Sequence, residues 1–454
     1  MRRWMMLALG TAAQTVACTF LYGLPYTSET LRRDYGLTLG QVGLLIACPT
    51  VGLVLTLVAW GALADRFGER GVITSGLAMT TVLLSLGVAV HGLVPLGVLL
   101  ALAGAASASV SAASGRLVIG WFSARERGLA MGIRQTSTPL GMGVAALIVP
   151  TLAARSGVKG TVLFCAALCG VVAVLVGSLA SDPPRRARSA AQEPAVNPYR
   201  DSSLWRIHAS SALLCVPQFA ANAFAMVFLI DVRGWSAVHA GQLLVVSQVL
   251  GAVSRVVAGR WSDRVGSRVR PMRQLSVCIA VVMGATALGA LWPSPVTDLA
   301  MIVACGITAS TNGLAFTATA ELAGRSWSGR AMGVQNTGQN LAASLTPPLL
   351  GGLIGSAGYA WGFALAGVLA GAACFMIPTL GSRALSDSRQ EVAIGPGGLV
   401  RAAGRKGKGE PSGADPVRGG RRGPDDEEEP GPRLAAGAGD GSRSRAAGPE
   451  PKDT

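Results

Sequence analysis

Arg134 stands inside an apolar run, six residues past Gly128, so a helical rise of ~1.5 Å per residue carries it ~9 Å into a membrane span. An arginine at that depth costs on the order of 3 kcal/mol, which a polar cavity, a partner or an anionic ligand has to offset. Two readings stay open: it meets an anionic solute, or it snorkels to the interface or pairs with a loop acid such as Glu126. Arg116 and Arg255 fall nearer the ends of their apolar runs and are expected to snorkel or to pair with a loop acid. Uncharged hydrogen-bonding residues recur at similar depth: Gln14, Gln135, Gln218, Asn222, Asn312, Gln335, Asn336, Gln339 and Asn340. Gln218 and Asn222 are one turn apart and share a helix face, which favours a polar lining. Hydrogen bonds between helices account for such residues equally well. The candidate solute-binding set is Gln14, Arg134, Gln135, Gln218, Asn222, Asn312, Asn336 and Gln339.

Catalytic constellations are missing from the chain. The three histidines (His91, His208, His239) are scattered, and no nucleophile–base pair or phosphate-cradling glycine loop occurs. All eight cysteines fall in apolar stretches; Cys165 and Cys169 share a face, but nothing completes a metal-ligand set. An enzyme, an ATP-driven pump and any metal or other cofactor are therefore not expected. Carboxylates are also absent from the middle of every apolar run, with Asp231, Asp298 and Glu321 at the ends. A buried carboxylate is the usual proton carrier. Proton carriage through these runs is accordingly expected to be absent or to fall to an end acid such as Glu321.

The elements that hold these residues are membrane helices. Half the residues are apolar and 14% are charged. No Asp, Glu, Lys or Arg occurs between Asp34 and Asp65, from Gly71 to Gly115, or from Ala331 to Ser382. At roughly 20 apolar residues per crossing, those gaps hold one, two and two spans. Twelve are expected, at 4–22, 40–63, 72–90, 93–118, 129–153, 160–179, 207–230, 237–257, 275–291, 299–320, 331–354 and 360–380. With both termini cytoplasmic, 18 Lys/Arg face inside and five outside, as the positive-inside rule requires. The chain then divides into a six-helix half (1–180), a polar, basic linker (181–204), a second half (205–382) and a tail (383–454). Rich in Gly, Pro, Arg and acidic runs, the tail buries too little apolar surface to fold and is expected to be disordered. It carries 13 basic and 12 acidic residues, so the net charge of +15 belongs almost wholly to the membrane part. No basic patch is interleaved with aromatics, so nucleic acid is not expected; the bilayer and a small solute are. Met1-Arg2-Arg3 followed by an apolar run looks like a signal peptide, but without a small-residue cleavage site it reads as a retained first helix.

Two blocks recur. Gly61-x-x-x-Asp65-Arg66-x-Gly68-x-Arg70 returns as Gly259-x-x-x-Asp263-Arg264-x-Gly266-x-Arg268, an offset of 198. Ala130-Met131-Gly132 returns as Ala331-Met332-Gly333, an offset of 201. Two matches at nearly equal offsets mark an internal duplication. Glycines in such a turn permit close helix approach, and the Asp can pair with an arginine or a helix N-terminus of the opposite half. The cluster can thereby hold one face of the molecule shut until the halves rock.

On these loop residues the chain resembles the major facilitator superfamily of secondary transporters over residues 4–380. That resemblance implies an all-α membrane protein of twelve helices in two pseudo-symmetric six-helix bundles, a cavity lined by spans one, four, seven and ten, and alternating access by rocking. It also implies a permease of the cell membrane working as a monomer, with Gly61, Asp65, Arg66, Gly68, Arg70, Gly259, Asp263, Arg264, Gly266 and Arg268 as its gating residues. Departures narrow it. Leu100 stands where proton-coupled members often carry an arginine four residues before a glycine, here Gly104. Thr138-Pro139-Leu140-Gly141-Met142-Gly143 keeps only part of the G-P-x-x-G-G run of antiporters. Residues 121–143 look closest to cyanate-permease and organic-anion permeases. A small organic or inorganic anion is the expected solute; export of a neutral or cationic compound, or a non-transporting sensor or scaffold, are the alternatives.

Overall fold

The computed structural model describes residues 1–90, 92–183, 197–292 and 294–378, and every regular element among them is helical. The tail, the middle of the linker and His91 lie outside the described residues. Ten helical stretches are long and apolar enough to cross a bilayer. One of them, Arg127–Leu179, holds two crossings, because the chain reverses at Gly157, where φ is +65°. The remaining crossing follows a second reversal at Gly324 (φ +68°) within Thr311–Ala357. Its Gln335, Asn336, Gln339 and Asn340 make it too polar to count by hydropathy alone. Twelve spans result: Arg2–Gly23, Leu39–Phe67, Glu69–Ala89, Leu93–Trp121, Arg127 to Gly157, then on to Leu179; and Ser202–Asp231, Ala237–Val265, Val269–Leu291, Pro295 to Gly324, on to Ala357, and Tyr359–Met376. They form two related six-helix bundles, as the repeat predicts.

Three local features add to the sequence expectation. The loop after span one holds a 3-10 turn and a short helix, Ser28–Tyr35, ended by Gly36 at φ +64°. Span five breaks at Thr136, between Arg127–Gln135 and the helix that starts at Ser137. Pro139 explains the break, since its ring excludes the carbonyl of Gln135 and it has no N–H to donate to it. Span ten is interrupted from Thr308 to Ser310, between Pro295–Ile307 and the helix beginning at Thr311.

The duplication extends to the helix ends. Thr38 caps span two, its Oγ1 accepting from Gln41 N at 3.3 Å, and Ser236 caps span eight in the same way from His239 N at 3.3 Å, 198 residues on. Left-handed glycines repeat too, as Gly68 and Gly266, and as Gly157 and Gly358.

Each half has its own apolar core, one containing Ile73, Leu77 and Leu117, the other Phe228, Met283 and Phe363. In lipid no hydrophobic drive brings helices together, so close approach of small residues matters. Gly104 packs on the backbone of Pro49, with no room for a Cβ. Its glycine thus serves a helix crossing between spans two and four. Across the halves, span two packs on span eleven and span five on span eight. A mixed cluster of Leu7, Val118, Met131, Phe316 and Met332 seals the space between the bundles on the side of the two Asp-Arg loops.

Candidate functional site

The two Asp-Arg loops build matched latches between the bundles. Asp65 accepts from the N–H groups of Gly329 (2.8 Å) and Arg330 (3.1 Å) on span eleven. Asp263 accepts from Gly128 (2.9 Å) and Leu129 (2.7 Å), in the first turn of span five. Such a turn has free N–H groups and a positive dipole end, so a carboxylate binds there without further help. Two glycine pairs allow the approach: a Cβ on Gly61 would strike the carbonyl of Gly329, and one on Gly259 that of Gly128.

Each latch Asp is braced by an arginine and a glutamate, with the signs placed differently in the two halves. Arg116 on span four reaches Asp65 and Glu69, at the start of span three. In the second half the arginine starts the helix and the acid is on span ten: Arg268 pairs with Asp263 at 2.6 Å and Glu321 at 3.3 Å. Of the two expectations for Arg116, pairing with an acid at the loop is the one realised: Asp65 and Glu69 hold it inward. Other motif positions serve elsewhere. Arg70 Nε donates to the Gly177 carbonyl at 3.0 Å, at the end of span six. Asp182 accepts from Glu69 N and Arg70 N, both at 2.8 Å, and so ties the start of the linker to the first turn of span three. Arg66 lies over the Phe67 ring, and both it and Arg264 are exposed, outside the latches.

Above the apolar seal lies a polar layer centred on Arg134, which is only 3% exposed. Its guanidinium donates to Gln135 Oε1 (2.6 Å), Gln14 Oε1 (2.8 Å) and Ser114 Oγ (2.7 Å). Its Nε has no partner, and no carboxylate pairs with it among the described residues. Glu126, the alternative partner, is taken by Arg3 at 2.6 Å. Gln14 also donates to Ser111 Oγ (3.3 Å), and the Ser111 carbonyl accepts from Asn336 Nδ2 (3.1 Å) of the other half. The layer therefore crosses between bundles. It also adjoins the breaks in spans five and ten, since Gln135 immediately precedes the first and packs by Gly313, just past the second. In the second half Asn312 donates to Gln218 (3.1 Å), and Gln339 to Ser211 (2.7 Å).

The expected set is thus brought together only in part. Gln14, Arg134, Gln135 and Asn336 share one network, Gln218 and Asn312 form a pair, and Gln339 joins span seven by itself. Asn222 is exposed and has no hydrogen-bond partner among the described residues, so no contact ties it to Gln218. Several participants escaped the sequence reading. Ser111 and Ser114 carry no positional signal in a run of small residues. His208 is held by Gln335 Oε1 and by the Tyr199 hydroxyl (3.2 Å), and Gln335 occupies the position equivalent, by the 201 offset, to Arg134. The equivalence was legible in the repeat; the histidine's part in it was not.

The sequence model of the Major Facilitator Superfamily matches residues 7–347. The Mycobacterium tuberculosis protein "Uncharacterized MFS-type transporter Rv2994" is 44% identical over 378 residues, 83% of this chain and 85% of its own. The Cupriavidus necator protein "Probable sulfoacetate transporter SauU" is 25% identical over 384 residues, 77% of this chain and 88% of its own. The crystal structure of the human organic anion transporter MFSD10 (TETRAN) superposes with a TM-score of 0.66 at 15% identity, covering 83% of this chain and 99% of that one. At that identity the likeness is one of fold.

Proposed function

The chain belongs to the major facilitator superfamily and is a multi-pass membrane transporter, and from that premise we propose that its solute is a small organic or inorganic anion. The observation that carries this is Arg134: a buried guanidinium held by three uncharged acceptors, with one nitrogen unpaired and no carboxylate to balance it. An uncompensated cation at that depth is stabilised by an anionic ligand, whereas a cationic solute would be repelled. The name of the C. necator relative, which gives an anion as its solute, points the same way.

Alternating access supplies the movement. The Asp65 and Asp263 latches, with the glycine contacts beneath them, hold one side closed; rocking of the bundles breaks them and opens it. We place that side in the cytoplasm, with both termini, because it gathers the basic residues. The working unit is a monomer in the cell membrane, with the bundles at 1–180 and 205–382 joined by the 181–204 linker.

Uptake of radiolabelled small anions and small amines into proteoliposomes tests the reading. Wild-type protein is expected to accumulate anions, and Arg134→Gln to lose that uptake while still folding. Unaltered anion transport and solute range in Arg134→Gln, or uptake of amines alone, refutes it.

A further inference from the structure

The outward stripe of span nine ends in two arginines. Its exposed Val281 and Val277 lead back, turn by turn, to Arg273 and Arg270 near the start of the helix. On span eight Val257, 59% exposed, marks the outer face, and Trp261 follows it one turn on. Span twelve adds Cys374 and the exposed Phe375. At the end of the bundle that carries the Asp-Arg loop, these three helices frame an open pocket of about 530 Å³. Trp261, Val265, Arg270, Arg273, Val277 and Cys374 line it.

Neither arginine is neutralised by the protein. Among the described residues no carboxylate pairs with Arg270 or Arg273, and Asp263, the nearest acid in sequence, is held by Arg268. Arg273 Nε makes one long bond, 3.4 Å to the Cys374 carbonyl. Like charges one turn apart on a helix disfavour each other, and an anion between them reverses the sign.

The first bundle builds the same corner without them. A Cβ on Gly170 of span six would lie 3.2 Å from Thr81 of span three. One on Gly367 of span twelve would lie 3.3 Å from the Ala280 carbonyl of span nine, so the two crossings match at offsets of 197 and 199. The same offsets carry Gly177 to Cys374, Thr74 to Arg273 and Gly71 to Arg270. Gly177 packs on Thr74, 3.1 Å from where its Cβ would stand, and its carbonyl accepts from Arg70 at 3.0 Å. In the second bundle Arg268, the counterpart of Arg70, is drawn into the latch instead. Helix packing therefore does not explain the two arginines.

We propose that this pocket binds the phosphate of an anionic phospholipid, with the headgroup between Arg270 and Arg273 and the acyl chains along Val277 and Val265. A lipid fits better than a dissolved anion because the cationic end continues into valines that face hydrocarbon, and Trp261 stands at headgroup level. The site lies on the outer edge of the second bundle, so it does not depend on what the solute is.

Native mass spectrometry of the purified full-length protein tests it, with phosphatidylglycerol against phosphatidylcholine. Both carry a phosphate diester, but choline cancels its charge. Wild-type protein is expected to bind phosphatidylglycerol roughly tenfold or more tightly, at about fivefold per arginine facing an anionic headgroup. Arg270→Gln with Arg273→Gln is expected to bring the two lipids within about twofold, and the paired lysine substitutions to keep the preference. Arg125→Gln with Arg200→Gln removes the same charge from exposed positions outside the pocket and is expected to change nothing. The proposal is overturned by equal binding of both lipids to wild type, by a preference that survives the Arg270 and Arg273 pair, or by one that the control pair also abolishes. Inorganic phosphate that raises the thermal midpoint through the same two arginines as strongly as the lipid makes this a site for a free anion and overturns it too. So does a preference seen only in a chain ending at Ser382, which assigns the pocket to the acidic run Asp425–Glu429 of the tail. Should the pair not fold, Arg270→Gln alone is expected to cost about fivefold, and no loss there refutes the assignment.

Discussion

Replacing Asp263 by Asn removes the charge from one latch while keeping its shape. The carboxylate accepts two N–H groups of the opposite bundle, at 2.9 and 2.7 Å, in the first turn of span five. Bonds to a charged acceptor contribute about 1.5–3 kcal/mol each, and the turn dipole adds a few tenths or more. A carboxamide retains one neutral bond of about 1 kcal/mol. The net loss is about 2–5 kcal/mol, or about 30- to 4,000-fold in the latching equilibrium. Arg268 keeps Glu321 and the Ala124 carbonyl, so the change does not strand a buried cation. Hydrogen exchange read by mass spectrometry on segments covering 128–129 is expected to show protection reduced by that factor. Because both latches join the same two bodies, segments covering 329–330 are expected to lose protection alongside them. Unchanged exchange at 128–129 would mean that the carboxylate does not hold the bundles together. Loss confined to 128–129 would mean that the latches open separately, and rocking as one movement would be refuted.

Further outcomes follow from the same contacts. Gly61→Ala and Gly259→Ala drive a methyl into a facing carbonyl and are expected to cost about 1–3 kcal/mol, lowering both the thermal midpoint and transport, while Gly71→Ala, with open space around it, leaves both unchanged. Arg134→Lys cannot serve Gln14, Ser114 and Gln135 together, because an ammonium lacks the planar fork; anion uptake is expected to fall tenfold or more despite the retained charge, measured as initial rate in proteoliposomes. A chain ending at Ser382 is expected to transport at the full-length rate. With no carboxylate midway in any span, anion-driven proton flux is expected to be absent, or to disappear in Glu321→Gln; flux lost instead on neutralising a residue other than the end acids contradicts that expectation.

The chain's sequence alone determined that it is a helical membrane protein built from a doubled unit, because lipid demands long apolar runs and a duplicated block keeps its spacing. The depth of Arg134 and the Asp positions of the latches followed from the same one-dimensional facts. Tertiary structure decided the partners. Nothing in the order of residues tells Arg116 that Asp65 and Glu69, around fifty positions away, will fold around it, or tells Arg255 that it will turn inward beside Gly132 and find no carboxylate. Depth along a helix is a sum of rises and can be counted, but the direction a side chain faces depends on which helix packs beside it. That packing is set by glycines and breaks acting across the whole bundle.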